Sequence, residues 1–391
     1  MYRIRRLKIE RTALLDALSL ASGLLYSQTV VLFWRTVRKH NLWLRPSSLM
    51  RWHSSEMLHA HSADAVVQQF ASALKSWRKR RKDEPNAHPP RRRRRFNKIV
   101  WKSSAIRLKN ENLLLSNARG IAPVVIPWQH ELPTMIEIGW NGTGYELRAV
   151  YNAVSESEPV GEKTAGVDLG EIHPAVTHDG ATTTIVNGRY LRSLRRYQNK
   201  LKAMLSAKID VKKRGSKRRA KLICSKKKQL QKLDHQIRDI LHKQTSNLVS
   251  TLHRAGVQTV AIGDVRTIRT RTDLGRHVNQ KIHQWLAGAT RSQITYKAET
   301  LGMQVVIQDE RYSSKTCPAC LERRKSAPSG RNFVCKACGF RFHRDGVGSV
   351  NIRRMYLGSG PVVGAMASPV GVRFHPHLRR SSSKIAALAA A

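Results

Sequence analysis

Two stretches decide how the chain is read: Glu310-Arg-Tyr-Ser-Ser-Lys-Thr-Cys-Pro-Ala-Cys320 and, after 14 intervening residues, Cys335-Lys-Ala-Cys-Gly-Phe-Arg-Phe-His-Arg-Asp345. Each Cys-x-x-Cys turn points two thiolates to one side, and four thiolates complete a tetrahedral zinc site. Gly339, directly after the second turn, allows the positive φ that such turns require. Cys317, Cys320, Cys335 and Cys338 are therefore the expected Zn²⁺ ligands. A closed set of four thiolates leaves no open position, so this metal is structural. A disulfide framework would need an oxidising compartment and suits the spacing less well. The fifth cysteine, Cys224, sits alone in a basic helical stretch and has no assigned role.

Acids flank these turns in a chain that has few of them. The protein carries 71 Lys and Arg against 26 Asp and Glu, a formal net charge of +45 over 391 residues. Self-repulsion on that scale calls for a polyanionic partner, and nucleic acid is the natural one. A ribosomal-type protein or a membrane-surface binder would share the composition, so charge alone does not distinguish a nuclease from a coat. Against this background an acid at the end of an apolar run stands out. Four qualify: Asp168 in Gly166-Val-Asp-Leu-Gly170, Asp264 in Ala261-Ile-Gly-Asp-Val265, Glu310 after Val305-Val-Ile-Gln-Asp309, and Asp345. Hydrolysis of a phosphodiester with two Mg²⁺ ions needs carboxylates converging from neighbouring elements. A single strand-end Asp is more often a turn or cap residue. Asp309 should face away from Glu310 on an extended strand.

Around these acids the pattern is mixed α/β. Residues 164–168, 175–178 and 182–186 read as three short strands. Residues 257–264 and 304–310 read as apolar strands flanking a helix over 280–301, which suggests parallel neighbours. A long helical stretch over 190–253, interrupted near Gly215, is dense in Lys and Arg at first and later keeps an apolar stripe from Leu230 to Leu248. Toward the N-terminus, residues 12–82 have helical periodicity. Residues 13–34 are the most apolar, but contain Asp16, Ser19, Ser22, Ser27 and Gln28, so they are read as a buried helix rather than a membrane span or a secretory signal. Residues 98–154 alternate with period two. Asn110-Glu-Asn112 supplies one turn and Asn141-Gly-Thr-Gly144 another, which predicts antiparallel hairpins in a small barrel or sheet.

The residues 166–352 resemble the C-terminal half of the TnpB family, transposon-encoded RNA-guided nucleases related to the type V CRISPR effectors and to the Fanzor proteins. The carrying residues are Gly166-Val-Asp-Leu-Gly170, Ile237-Arg-Asp-Ile-Leu-His-Lys243, Tyr296-Lys-Ala-Glu299, the two stretches quoted first, and Asn351-Ile352. The resemblance implies an α/β fold with an RNase H-like, RuvC-type nuclease core over 161–355 and a zinc ribbon inserted at 312–343. It also implies an N-terminal β-barrel (wedge-like) domain over 1–12 and 96–160, with a helical recognition insert at 13–82. A basic linker at 83–95 and a disordered tail at 356–391 complete the expected organisation. The implied partners are a guide RNA from the element end and a target DNA, with base pairing reading the sequence. The protein is expected to be cytoplasmic, associated with the nucleoid, without a membrane partner, and monomeric within its ribonucleoprotein.

Asp168 matches the family's first catalytic carboxylate and Asp345 its last. The second motif departs from the pattern: its usual Glu is replaced by Gly263, followed by Asp264. Three readings stay open. Glu310 supplies the missing acid from the next strand, or Asp264 serves despite the shift, or the site is degenerate and the protein binds DNA without cutting it. Candidate phosphate contacts are Arg78, Lys79 and Arg80, Arg92 and Arg93 of the linker, Arg195, Arg196, Lys212, Lys213, Arg218 and Arg219. Nothing resembles a transposase of the type that joins DNA ends.

Overall fold

The computed structural model describes residues 2–92, 96–152, 161–266, 268, 273–325, 330–362 and 370–373. The chain divides into two compact units, Met1–Ala153 and Val154–Ala391.

In the first unit, strand β1 (Tyr2–Ile9) leads into helix α1 (Ala13–His40), whose first turn is capped by Thr12 accepting from the Leu15 amide at 3.2 Å. α1 is long and apolar enough to cross a membrane by length and composition alone. Its stripe of Leu15, Leu18, Leu25, Tyr26, Val30 and Phe33 is nevertheless buried, in a core shared with Val66, Val67 and Phe70 of α3 (Ala60–Asp83). Phe33 and Phe70 meet edge to face at 5.2 Å between ring centroids. Burial of each such side chain contributes about 1.5–3 kcal/mol. The short helix α2 (Pro46–Trp52) lies between them in sequence.

The rest of this unit is antiparallel. Strands β2 (Ile99–Lys102), β6 (Met135–Trp140) and β7 (Tyr145–Asn152) join β1 in the order β1-β7-β6-β2. Strands β3 (Ile106–Lys109), β4 (Asn112–Leu115) and β5 (Val124–Pro127) form a second sheet. The β3–β4 turn places Asn110 and Glu111 at φ 47° and 54°, the left-handed pair that a two-residue hairpin requires. In the β6–β7 turn the Asn141 carboxamide oxygen accepts from the amides of Thr143 and Gly144. The strand pairings of the described residues form two separate sheets and do not close into one ring.

The second unit is built on a six-stranded sheet in the order β12 (Gln304–Gln308), β11 (Val257–Gly263), β8 (Lys163–Asp168), β9 (Val176–His178), β10 (Thr183–Asn187) and β15 (Val370–Arg373). Strands β8, β9 and β10 run as an antiparallel meander. Strands β11 and β12 extend it in parallel with β8. β11 is buried at six of its seven positions, and Val260-Ala-Ile-Gly263 at its carboxyl end is apolar throughout, as a strand covered on both faces should be. Helices α4 (Arg189–Asp210) and α5 (Lys217–Arg254) are joined through Gly215 at φ 85°, and Leu201, Leu205 and Leu233 pack between them.

Two sequence expectations change here. The single helix expected over 280–301 is two, α6 (Arg276–Gln284) and α7 (Ala287–Thr300). Trp285 is extended between them. Trp285 packs against one apolar cluster and Leu286 against another, so packing breaks a helix that contains no proline and no breaker at that point. The stretch 356–391, expected as a disordered tail, begins with the last turn of helix α8 (Arg344–Leu357) and includes strand β15 (Val370–Arg373), which pairs in parallel with β10. Its remaining residues from 374 onward lie outside those described.

α8 lies against the sheet at unusually short range. A side chain on Gly166 would overlap the backbone of Ser349 and Arg353, and one on Gly348 would overlap the Asp168 carboxylate. The two glycines therefore let helix and strand backbones meet.

Candidate active site and metal centre

The four predicted cysteines converge. Their sulfurs all lie within 4.8 Å of one another, with Cys317–Cys338 at 3.7 Å and Cys320–Cys335 at 3.6 Å. These separations exclude disulfides and match the edge of about 3.8 Å expected for a tetrahedron with Zn–S bonds of about 2.3 Å. A two-stranded hairpin, β13 (Asn332–Val334) and β14 (Arg341–His343), carries the second pair, and Gly339 has φ 74° as the turn demands. Phe333, Phe340, Phe342 and Val347 pack beside the thiols. Cys224 is exposed on α5, away from this set.

The sequence-predicted acids gather at one edge of the second sheet. β8, β11 and β12 are parallel neighbours, so their carboxyl ends lie together, which is where open α/β sheets place their ligands. Asp168 ends β8, Gly263 ends β11 with Asp264 just beyond, and Glu310 follows β12 by two residues. Asp345 arrives from another direction, in the first turn of α8, which His343 caps by accepting from the Asp345 amide at 3.3 Å.

At Gly263 the geometry leaves no room for a side chain. A Cβ built there would overlap the Glu310 carboxylate and press on Ile352 at 2.9 Å. The Glu310 carboxylate thus fills the space where a side chain from position 263 would start. Glu310 Oε2 is buried with no hydrogen-bond partner. Burial, with the charges of Asp264 and Asp309, pushes the Glu310 carboxyl up to about 7. Burial, then the charges of Glu310 and Asp345, push Asp168 up to about 8, with Arg344 opposing. Burial and neighbouring acids therefore keep Asp168 and Glu310 protonated up to near neutral pH, and a divalent cation that displaces those protons would relieve the strain of ionising both. These carboxylate oxygens are more widely spread than the thiols, and among the described residues only the cysteines form a set as tight as 4.8 Å.

Asp264 differs from the other three. Arg266 grips it through several contacts of 2.6–3.0 Å, and Arg291 stands 3.9 Å away. The Arg266 hydrogen bonds hold its carboxyl below the usual range. Asp309 is likewise tied to Arg311 and is exposed.

Several contributors had no signal in the sequence. Arg331, at the base of the zinc hairpin, binds Asp345 at 2.6 Å, and the buried His173 places Nε2 4.0 Å from the same oxygen. Asn351 donates to the carbonyls of Ser313 and Thr316, pinning the loop that carries Glu310 to α8. Of these, Asn351 alone is marked in the sequence, as part of the Asn351-Ile352 pair that carries the family resemblance.

The basic residues divide by use. Arg78, Lys79, Arg92, Arg196, Lys212, Lys213 and Arg218 are exposed. Arg78 lies over the Trp43 ring at 4.8 Å, and Arg80 pairs with Glu84 at 3.7 Å. Arg219 is engaged internally: it donates to the carbonyls of Ile209 and Lys212 at the end of α4 and pairs with Asp210. Arg195 is held by Gln198 and the Gln284 carbonyl. Both are thus committed to packing rather than open for phosphate. Arg93 lies outside the described residues. Among the tryptophans that could stack on bases, Trp77, Trp101 and Trp128 are buried and Trp140 is exposed.

Comparison with known proteins follows the same division. Residues 148–269 match a family model described as a probable transposase, OrfB_IS605, and residues 288–352 match the TNB domain of Cas12f1-like proteins. A TnpB-like protein of Acidianus two-tailed virus is 26% identical over 240 residues, covering 59% of this chain and 50% of the viral protein. The CRISPR-associated endodeoxyribonuclease Cas12f1 of Sulfoacidibacillus thermotolerans is 27% identical over 192 residues, covering 47% of this chain and 43% of that one. The chain thus spans about half the length of the curated relatives it matches. A Cas12f1 solved in complex with sgRNA and target DNA superimposes with a TM-score of 0.60 at 12% identity, over 87% of this chain and 81% of that one, and so shares its fold. By its family-model matches and its curated relatives, the chain is similar to the TnpB proteins and to the Cas12f nucleases, as the residues of 166–352 indicate.

Proposed function

We propose that the chain is an RNA-guided DNA endonuclease encoded by a transposable element, with an RNase H-like, RuvC-type core in its second unit. The observation that carries the reading is the Glu310 carboxylate lying over Gly263 at the shared end of three parallel strands, beside Asp168. An acid missing from one strand is supplied by its neighbour. Asp168, Glu310 and Asp345 would hold Mg²⁺. When bound, paired ions of this kind activate water and stabilise the leaving oxygen. Asp264, already neutralised by Arg266, would orient its surroundings rather than bind metal. Arg331 fixes the Asp345 carboxylate, with His173 standing 4.0 Å away, and Arg331 is itself tied to the start of α8 by the Arg344 amide, which donates to the Arg331 carbonyl at 2.7 Å.

Guide RNA and target DNA are the partners that fit a charge of +45 and the complex in which the similar fold was solved. Exposed Arg196, Lys212, Lys213 and Arg218 along α4 and α5, with Arg78, Lys79 and Arg92 of the first unit, would contact phosphate without reading sequence. The first unit would serve as a wedge-like domain with its helical insert gripping the guide. Such a ribonucleoprotein would act in the cytoplasm, with one copy of the chain.

The alternative, a guided DNA-binding regulator that does not cut, is favoured by Gly263 alone. The test is cleavage of a matched plasmid by the protein purified with its flanking RNA, with and without Mg²⁺. Metal-dependent cutting lost in Asp168→Ala supports the nuclease. Tight guided binding without cutting by the wild type selects the regulator.

A further inference from the structure

The second unit contains a cleft of about 610 Å³ apart from the carboxylates, between α4, α6 and the loop that follows β8. Its volume falls in the range of pockets that hold one small ligand. The wall begins at Gly170 and Glu171, two and three residues beyond Asp168, so the cleft opens beside the acidic edge of the sheet. Pro174, Leu191, Trp285 and Leu286 give it an apolar floor. Asn199, Gln280 and Gln284 present carboxamides, two of them joined by an Asn199–Gln284 hydrogen bond. Arg196, Lys200 and Lys281 stand exposed at the rim, and among the described residues no carboxylate pairs with them. The one acid in the lining, Glu171, is neutralised by Arg192 at 3.0 Å. The Arg195 Nε in the wall is buried without a hydrogen-bond partner.

An apolar slot with an aromatic side, amide groups and a cationic rim suits one class of ligand. Carboxamides match the donor and acceptor edges of a base, and an aromatic face accepts a planar ring. Free cations take the phosphate. We infer that this cleft binds a single nucleotide, base inward and phosphate at the Arg196–Lys200–Lys281 rim. The proposal deepens the nuclease reading and rests on it for the source of that nucleotide: a residue of the strand lying next to the scissile bond.

The test measures binding, in full-length protein carrying Asp168→Asn and without added Mg²⁺, so that nothing is cut. A labelled deoxyadenylate tetramer is compared with an abasic tetramer of equal charge at moderate salt. The wild-type cleft should prefer the base-bearing probe by about tenfold, as expected for one stacked and hydrogen-bonded base. Ala203→Trp, on the exposed face of α4 lining the cleft, should reduce the preference to about one by filling the slot. Lys281→Ala should weaken both probes equally, because it removes a phosphate partner. Equal binding of the two probes by the wild type, or a preference that survives Ala203→Trp, overturns the proposal. Deoxyadenosine monophosphate distinguishes the sources. A tetramer bound about tenfold tighter than the monophosphate identifies a strand site, and equal affinity identifies a free-nucleotide site. Failure to cleave plasmid leaves this result untouched, and loss of base preference leaves the carboxylate reading untouched.

Discussion

Four thiols and a set of carboxylates lie in the same unit, with Cys338 only seven residues before Asp345, yet they are built on opposite terms. The thiols are drawn together until all four sulfurs are mutual neighbours, backed by Phe333 and Val347. The carboxylates are held apart on β8, the loop after β12 and the start of α8, and burial with neighbouring acids raises both Asp168 and Glu310 despite the opposing charge of Arg344. A centre that completes its own ligand shell stabilises the fold. A centre whose buried carboxyls hold their protons up to near neutral pH retains affinity for a cation that can displace them. The unit illustrates both.

Breaking the closed centre should have the largest effect on the fold. Cys335→Ser should lower the bound zinc from one per chain to near zero, measured by elemental analysis. Because structural zinc contributes much of the folding energy of small ribbons, a loss of about 3 kcal/mol should lower Tm by about 6–12 °C. Since Arg331 ties that hairpin to Asp345, cleavage should fall with it.

Relieving the open centre should act in the other direction. The Asp168 carboxyl lies at about 8 in the folded chain, above its ordinary value near 4, so the folded state holds this proton more tightly. Its contribution to stability is fully present below pH about 4 and is lost as pH rises toward about 8. Without divalent metal, Tm should therefore fall from pH 5 to 8. Asp168→Asn should flatten that slope and raise Tm at pH 8 by about 4–8 °C, for roughly 2 kcal/mol, while abolishing cleavage. Mg²⁺ should stabilise the wild type more at pH 8 than at pH 6, because protons compete with the metal.

A smaller effect sharpens the contrast at Gly263. Gly263→Ala should cost about 1–3 kcal/mol by overpacking against Glu310 and Ile352, read as a shifted denaturant midpoint, and should reduce cleavage by displacing the Glu310 carboxylate. The smallest is expected at the edge of the basic surface. Lys212→Ala should leave Tm within about 1 °C and lower the salt dependence of nucleic-acid binding by about one unit of log–log slope, whereas Arg219→Ala should lower Tm because it clips α4 to α5.

The sequence was most legible where chemistry fixes spacing. Cys317 to Cys338 and the acids ending apolar runs needed no structure to be found, because thiolate turns and strand ends impose their own pattern. The hairpins at Asn110 and Asn141 were legible for the same reason, since left-handed residues there are required locally. That Glu310 takes the place of the acid missing at Gly263 was one of three readings open in the sequence, because which strand lies beside which is a property of the sheet. Tertiary choices were not readable: the break at Trp285, the strand β15, the hold of Arg331 on Asp345, and the internal use of Arg195 and Arg219 depend on partners distant in sequence.

The central claim is that Glu310 holds the place of the acid missing at Gly263. Mg²⁺-dependent cleavage of a matched plasmid by Glu310→Gln and Asp264→Asn, measured beside the wild type, tests it most directly. The account predicts that Glu310→Gln loses about a thousandfold or more, the scale of about 4 kcal/mol in the barrier, and that Asp264→Asn stays within about tenfold of wild type. Cleavage that survives in Glu310→Gln and disappears in Asp264→Asn would contradict it and return the acid to β11.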